Sequence, residues 1–406
     1  MNQVERKYDL YSQEFKHNAY ATFAEMRNND PIYCQLGLDG VTPIWFFSQY
    51  EDIEAILRDK RFVRDEALSK DPEDRYQPSP LDDLLNNHML NKDGDDHRRL
   101  RNLVSQAFTP KRVADLRPRV QAIATALITA VKDKGEMDLI ADFSFPLPTI
   151  VILEMLGIPA EDRDKFKIWS NALIEPQMTQ EGMQEAVKQL TDFTHYLRDL
   201  FNKRRHEPKD DLITALLTAE EAGDSLSENE LFSTMVLLIV AGHETTVNLI
   251  ANAMLALSRN PEQLEQLKTH PERMPQAVEE FLRFDGSVER ALNRWAIEDI
   301  NYKGHQIKRG EPIILILGSA NHDENKFANP EKLELDRHPN PHLGFGKGAH
   351  YCLGAPLARL ETEIAMTSLL TQLPDIKLAV PENELRWRFL PGFRGLESLP
   401  VTWRVD

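Results

Sequence analysis

Over most of the chain, apolar residues return at intervals of three and four, the spacing that lines one face of an α-helix. Leu147, Ile150, Val151, Leu153 and Leu156 form one such series. The whole of 110–223 reads as helix after helix, broken at Gly135, at 157–159 and across 207–211. Short β-like runs stand at 32–35 and 44–47, and from about 286 to 318 the pattern turns strand-like again, over 292–297, 302–307 and 312–317. Ser48 is placed to cap a helix over 49–59. The stretch 64–92, with Pro72, Pro78 and Pro80 and no periodicity, predicts a long loop. A helix over 95–109 stops at Pro110. Ser227, with Glu230 three residues on, has the form of a capping box. It opens an apolar helix running to Ser258, long enough to cross the middle of a domain. Near the C-terminus, 387–401 reads as a hairpin with Gly392 and Phe393 at its tip. No repeat or flexible linker divides the 406 residues, so a single domain over 1–406 is expected. Its β-rich lobe would take about 30–63, 286–318 and the C-terminal hairpin.

Composition narrows the function classes. The net charge of −17 argues against a nucleic-acid surface, and the basic clusters at 97–101 and 111–119 then read as solvated helix faces. Two cysteines, Cys34 and Cys352, make no disulfide framework and suit a reducing cytoplasm. The N-terminal residues are too charged for a signal or anchor, and the longest apolar run, 231–242, is shorter than the roughly 20 residues that span a bilayer.

The chemistry concentrates at Cys352. It ends a turn dense in glycine (Gly344, Gly346, Gly348) and leads directly into a helical segment. A thiol at a helix start faces backbone N–H groups and the positive end of the helix dipole, which favours thiolate. One thiolate on a rigid loop, with no second cysteine near, suits a single large metal cofactor such as haem iron. A buried structural cysteine is the plain alternative. The loose nucleotide fingerprint formed by Gly344, Gly346 and Ala349 fails, because a proline-containing stretch precedes it where a strand is needed.

A second concentration lies mid-way along the long helix, at Ala241, Gly242, His243, Glu244, Thr245 and Thr246. A mid-helix glycine costs about 1 kcal/mol relative to alanine, and a buried Glu–Thr pair costs more unless hydrogen-bonded. Zinc of the H-E-x-x-H type is excluded by Val247. A threonine bonded back to the preceding turn is the structural alternative. Elsewhere, His97 and Arg101 share one helix face, and Glu280 and Arg283 can pair at i and i+3.

Taken together, these segments resemble the cytochrome P450 family. Residues 345–354, FGKGAHYCLG, meet every fixed position of its F-x-x-G-x-x-x-C-x-G loop, and AGHETT meets its A-G-x-[DE]-T-[TS] helix motif. HRRLR, EEFLR and the Arg337 of LELDRHP follow in the family's order, so the resemblance spans essentially the whole chain. It implies a mainly α fold with a smaller β-rich region, a triangular helical prism holding haem b between the long central helix and the Cys-loop helix. Cys352 would be the axial iron ligand, and Phe345 would sit beside the cofactor. His97, Arg101, Arg294 and His350 would hold its propionates. Ala241 and Gly242 would leave room for O2, with Glu244 and Thr245 passing protons. Glu280, Arg283 and Arg337 would be a buried folding element. Leu238, Val288, Glu289, Ala291 and Phe393 would line the substrate pocket, and helices around 161–205 would form its mobile lid. Glu289 and Arg290 are polar for a pocket wall, and either point away or read a polar substrate group.

The implied activity is insertion of one oxygen atom from O2 into a C–H bond of a bulky hydrophobic metabolite, polyketide- or macrolide-like. Electrons would come from NAD(P)H through a ferredoxin or flavodoxin and its reductase. A fatty-acid or steroid hydroxylase is the alternative, and a haem-thiolate sensor would explain Cys352 but not the helix motif. The implied protein is a cytoplasmic monomer of the soluble bacterial type, with no membrane anchor and no nucleic-acid partner. Arg98, Arg99, Lys111, Arg112, Lys347 and Arg359 could together form a basic patch for an acidic electron donor.

Overall fold

In the computed structural model, which describes residues 7–405 apart from 38, 175–178, 222 and 391, five short strands make the principal sheet. Their order is Ile32–Leu36, Pro43–Phe47, Pro312–Leu315, Arg294–Ala296, Phe62–Val63. Ile32–Leu36 runs antiparallel to Pro43–Phe47 with Cys34 opposite Trp45, and Pro312–Leu315 runs parallel to Pro43–Phe47 with Ile313 opposite the same Trp45. The unbroken apolar run at 312–317 is what a strand covered on both faces needs. Side chains alternate across a strand. Ile313 and Leu315 accordingly join Phe47, Tyr50, Ile53 and Phe62 in one core, while Ile314 and Ile316 join Phe46 and Phe15, Phe23 and Met26 of the N-terminal helix in another.

The chain divides into two compact units, one of Met1–Tyr76, Ala124–Ser144 and Thr245–Asp406, the other of Gln77–Ile123 and Phe145–Glu244. The sheet and both cores belong to the first, as do the expected β-rich stretches. The second is helical, with Gly94–Ala107, Pro146–Leu156 and Gln180–His206 among its helices, and it carries a cluster of Phe166, Trp169, Phe193 and Phe232. The segment 161–205 forms the helices Arg163–Ile174 and Gln180–His206, its residues 175–178 lying outside the described ones.

The long helix spans Glu228–Arg259, 32 residues, passing from the second unit into the first at Thr245. Its capping box is formed: the Glu230 N–H donates to Ser227 Oγ at 3.3 Å and the Ser227 N–H to Glu230 Oε2 at 2.9 Å. By length and composition this helix could cross a membrane, yet most of its apolar window is buried inside the protein.

Three local expectations are corrected. Ser48 caps nothing; its hydroxyl donates to the Pro31 carbonyl, and the helix Tyr50–Ile56 starts after Gln49 without a side-chain cap. The stretch 64–92 is not one loop, since it holds the 3-10 turns Glu66–Ser69, Pro72–Asp74 and Met89–Asn91 and the helix Pro80–Asn86. Ser79 and Asp82 form a full capping box there with Pro at the first helical position, a start signal written in the sequence. The hairpin at 387–401 is shorter than expected: Trp387 bridges Leu396 antiparallel, with the Arg388 N–H on the Gly395 carbonyl and the Glu397 N–H on the Arg386 carbonyl, while its tip residue Phe393 bridges to Val288.

Candidate active site

The turn before Cys352 is held by its backbone. The Cys352 N–H donates to the Phe345 carbonyl at 3.0 Å, the Gly346 N–H to Leu343 at 2.8 Å, and the Tyr351 N–H to Gly348 at 3.1 Å. Gly346 and Gly348 both have left-handed backbones, φ +67° and +77°. At Gly348 a Cβ would also lie 2.7 Å from the Leu57 carbonyl oxygen, whereas at Gly346 it would meet nothing within 4 Å. Cys352 then stands two residues before Gly354, the N-cap of the helix Ala355–Gln372.

Around Phe345 the loop is braced from outside. The Arg359 guanidinium lies 4.6 Å from its ring centroid and forks onto Glu279, at 2.6 and 2.9 Å. His342 Nε2 reaches the same carboxylate at 3.0 Å, while its Nδ1 accepts the Gly344 N–H at 3.1 Å. Burial alone would raise the Glu279 pKa, but the bonds from Arg359 and His342 more than reverse this and bring it to about 2. Nothing in the residue spacing singled out Glu279, because its partners lie 63 and 80 positions away.

Glu280, Arg283 and Arg337 are brought together and buried. Arg283 Nη1 donates to the carbonyls of Asn321 and Pro330 and its Nη2 to Lys332, while Arg337 Nη1 donates to Ala328. The pair thus organises the irregular chain that leads to the cysteine turn.

On the long helix, Ala241 is exposed and Gly242 and Thr245 are half-buried, whereas His243, Glu244 and Thr246 are buried. His243 Nδ1 lies 2.7 Å from the Ile239 carbonyl, a bond within its own helix. Gly242 has a packing reason for being small: a Cβ there would lie 3.0 Å from Ile152 of the helix Pro146–Leu156. Room for a ligand is therefore not needed to explain this glycine. A carboxyl passed over in the sequence, Glu361 of the cysteine helix, is fully buried next to Thr246. Burial, offset only by the Thr246 hydroxyl, pushes its pKa well above the usual carboxylate range.

The cationic candidates are partly shielded from solvent. His97 and Arg101 sit one turn apart on the helix Gly94–Ala107, His97 buried and Arg101 half-buried. Arg294 is buried on its strand with Nη1 donating to the Phe62 carbonyl at 2.8 Å, and half-buried His350 ends the 3-10 turn Gly348–His350.

Among the pocket candidates, Val288 bridges to Phe393, Val288 and Ala291 pack on the core beneath the sheet, and Leu238 is buried on the long helix. Glu289 is corrected. Its carboxylate is 1% exposed and turned to Lys16 at 3.2 Å and Arg290 at 3.3 Å, so it answers cations of its own chain and not a substrate. Of the basic residues expected to form a patch, Arg98, Arg99, Arg112, Lys347 and Arg359 pair with Asp95, Glu230, Asp210, Glu54 and Glu279, and Lys111 is exposed.

The residues fit a haem. The cysteine forms no disulfide, it stands two residues before the N-cap of a helix, and Gly346 leaves open space beside the thiol turn. Comparison with known proteins agrees. Residues 38–374 match the family described as cytochrome P450. The polyketide biosynthesis cytochrome P450 PksS of Bacillus subtilis (strain 168) is 46% identical over 397 residues, 97% of each chain. Mycinamicin IV hydroxylase/epoxidase of Micromonospora griseorubida is 43% identical over 362 residues, 88% of this chain and 89% of that one. The solved structure of PksS matches with a TM-score of 0.92 at 44% identity, over 98% of this chain and 99% of that one. P450BioI, solved in complex with hexadec-9Z-enoic acid ligated acyl carrier protein, matches with a TM-score of 0.88 at 39% identity, over 97% and 99%. With the fold and the thiol turn in agreement, the chain belongs to the cytochrome P450 family and is a haem-thiolate monooxygenase that acts on a small molecule with O2 and a redox partner.

Proposed function

We propose that this protein hydroxylates a bulky hydrophobic metabolite of polyketide or macrolide type in the bacterial cytoplasm. It works as a monomer, with haem b as cofactor and electrons delivered by a ferredoxin or flavodoxin and its reductase. The observation that carries the reading is the thiol turn: Cys352 tied to the Phe345 carbonyl between two left-handed glycines and the head of a helix. Haem iron with a thiolate ligand supplies reductive O–O cleavage when bound. The rest falls to the chain. Cys352 Sγ ligates the iron, with Phe345 beside it, and His97, Arg101, Arg294 and His350 hold the two propionates by charge-assisted bonds. Thr245 Oγ1 and the Glu244 carboxyl hold and hand on protons, the work of positioned acid–base groups. Ala241 leaves its side of the helix clear. Leu238, Val288, Ala291 and Phe393 hold the substrate C–H in reach and exclude water.

The similarity to PksS and to mycinamicin IV hydroxylase/epoxidase supports the substrate class. A second reading, oxidation of a fatty acyl chain, is favoured by the likeness to P450BioI, whose structure holds a fatty acid on a carrier protein. Reconstituted protein, reduced under carbon monoxide, should show the thiolate absorption band and lose it in Cys352→His. An imidazole-like band in the unsubstituted protein would defeat the proposal. NADPH consumption in a supplied redox chain, compared between a macrolactone and a long-chain fatty acid, separates the two substrate readings.

A further inference from the structure

The corrected direction of Glu289 exposes a buried junction within the first unit. Lys16 of the N-terminal helix is 3% exposed, and its ammonium makes three contacts: Glu289 Oε1 at 3.2 Å, Glu289 Oε2 at 3.3 Å and the Phe393 carbonyl at 2.8 Å. The Glu289 and Arg290 N–H groups both donate to the Gly392 carbonyl, at 2.8 and 3.1 Å, and the Arg394 N–H donates to the Ser287 carbonyl at 2.9 Å. Between these bonds lies the Val288–Phe393 bridge. Arg394 closes the junction from the other side, with Nη1 on the Lys16 carbonyl at 2.8 Å and Nε on Asp285 at 2.5 Å. Three buried cations, Lys16, Arg290 and Arg394, thus share two carboxylates, Glu289 and Asp285, with Tyr20 donating to Asp285 at 2.7 Å. Burial alone is unfavourable for such an ammonium. It is held because it bonds both chain segments at once.

We infer that Lys16 is a positioning residue of the substrate pocket, setting the spacing and tilt of Val288 and Phe393 by clamping the Phe393 carbonyl to the Glu289 carboxylate. This rests on the assignment of Val288 and Phe393 to the pocket. An N-terminal side chain with no contact to substrate then selects among bulky ligands, because rigid walls discriminate size and flexible ones do not. A ligand small enough to reach the iron without touching these walls is indifferent to it.

Four haem-loaded variants test this: Lys16→Met, Lys16→Arg, the pair Lys16→Met/Glu289→Gln, and Phe393→Ala. Affinities for myristate, testosterone, a macrolactone and imidazole are read from the shift of the haem absorption band. The paired variant removes both charges, so no carboxylate is left buried opposite a missing ammonium. It should keep the reduced carbon monoxide band of a thiolate and bind imidazole within about twofold of the parent. Its macrolactone-to-myristate affinity ratio should move by about tenfold, the scale of a methylene-sized misfit in an apolar pocket. Lys16→Arg, which keeps a cation and donors, should move it less than Lys16→Met. An unchanged ratio in the paired variant, with Phe393→Ala altering it, overturns the inference and leaves the pocket assignment standing. An unchanged ratio in Phe393→Ala overturns both. Loss of haem from the paired variant would mark Lys16 as a folding element alone, and also overturns the inference.

Discussion

Arg283 grips Glu280 at two points, Nε to Oε2 and Nη2 to Oε1, each at 2.8 Å, with neither side chain more than 1% exposed. Arg337 Nε adds a third approach to the same carboxylate at 3.1 Å. On a solvated helix such an i, i+3 pair contributes a few tenths of a kcal/mol. Here further donors of Arg283 and Arg337 reach main-chain carbonyls of 321–332, and Arg337 Nη2 also pairs with the Glu334 carboxylate. The next link, the Leu343 N–H donating to Asn321 Oδ1 at 2.8 Å, carries the order to the cysteine turn.

Arg283→Leu leaves the Glu280 carboxylate buried with one of its two cations gone. The expected cost is about 3–5 kcal/mol, enough to consume a large share of an ordinary domain's stability. Haem occupancy, read from the ratio of haem to protein absorption, should fall together with the unfolding midpoint. Retained occupancy with reduced turnover alone would show that the network acts in chemistry and not in folding.

Gly348→Ala and Gly346→Ala should differ, although both residues have positive φ. Alanine at either place pays about 1–2 kcal/mol of left-handed strain. At Gly348 it also drives a methyl to 2.7 Å from the Leu57 carbonyl oxygen, while at Gly346 no neighbour lies within 4 Å. Apo-protein melting should therefore place Gly348→Ala clearly below Gly346→Ala. Haem loading should fall further for Gly346→Ala than its stability loss explains, since the open space there adjoins the turn that presents the thiol.

Glu279 predicts an acid limb in stability. Its folded pKa of about 2 lies below the ordinary value of 4.5. The stabilisation is therefore complete above pH 4.5 and is lost as pH falls toward 2. With the side chain 30% exposed to solvent screening, about 2 kcal/mol is a fair magnitude. Denaturant titrations between pH 6 and 2 should show a larger loss, by about 2 kcal/mol, for the parent than for Glu279→Gln. Parallel pH profiles for the two proteins would count against the Arg359–Glu279–His342 arrangement.

Gly242 offers a choice between packing and chemistry. Helix propensity favours Gly242→Ala by about 1 kcal/mol, but its methyl meets Ile152 at 3.0 Å, and overpacking costs about 1–3 kcal/mol. Ile152→Ala alone should lose about 2–5 kcal/mol. Adding Gly242→Ala should recover part of that loss, a non-additivity measured by chemical denaturation. If instead Gly242→Ala leaves stability alone and lowers coupled turnover, the residue serves oxygen and not the helix pair.

The residues legible in advance share one property: their partners are close in sequence or dictated by backbone conformation. The capping box of Ser227 and Glu230 needs only three residues of chain. The left-handed Gly346 and Gly348 and the adjoining cysteine helix announce a turn on which a thiol is presented. The unbroken apolar run at 312–317 marks a strand covered on both faces, and the placing of Ile313 and Ile314 in separate cores follows from it. The overlooked box of Ser79 and Asp82 belongs to the same kind and was readable by the same rule.

Direction was decided elsewhere. A run of residues such as Val288, Glu289 and Arg290 does not say which side chain faces a pocket, because that depends on what the rest of the chain packs behind it. Lys16, 273 positions away, supplies the cation that draws Glu289 inward and leaves Val288 to pair with Phe393. Likewise Glu279 is an ordinary helix carboxylate until Arg359 and His342 reach it, and Gly242 is a weak point in a helix until Ile152 presses on it. Local backbone energies act within a few residues and are written in the chain's order. The desolvation of charges and the exclusion of overlapping atoms act between segments, and only folding brings those segments within range.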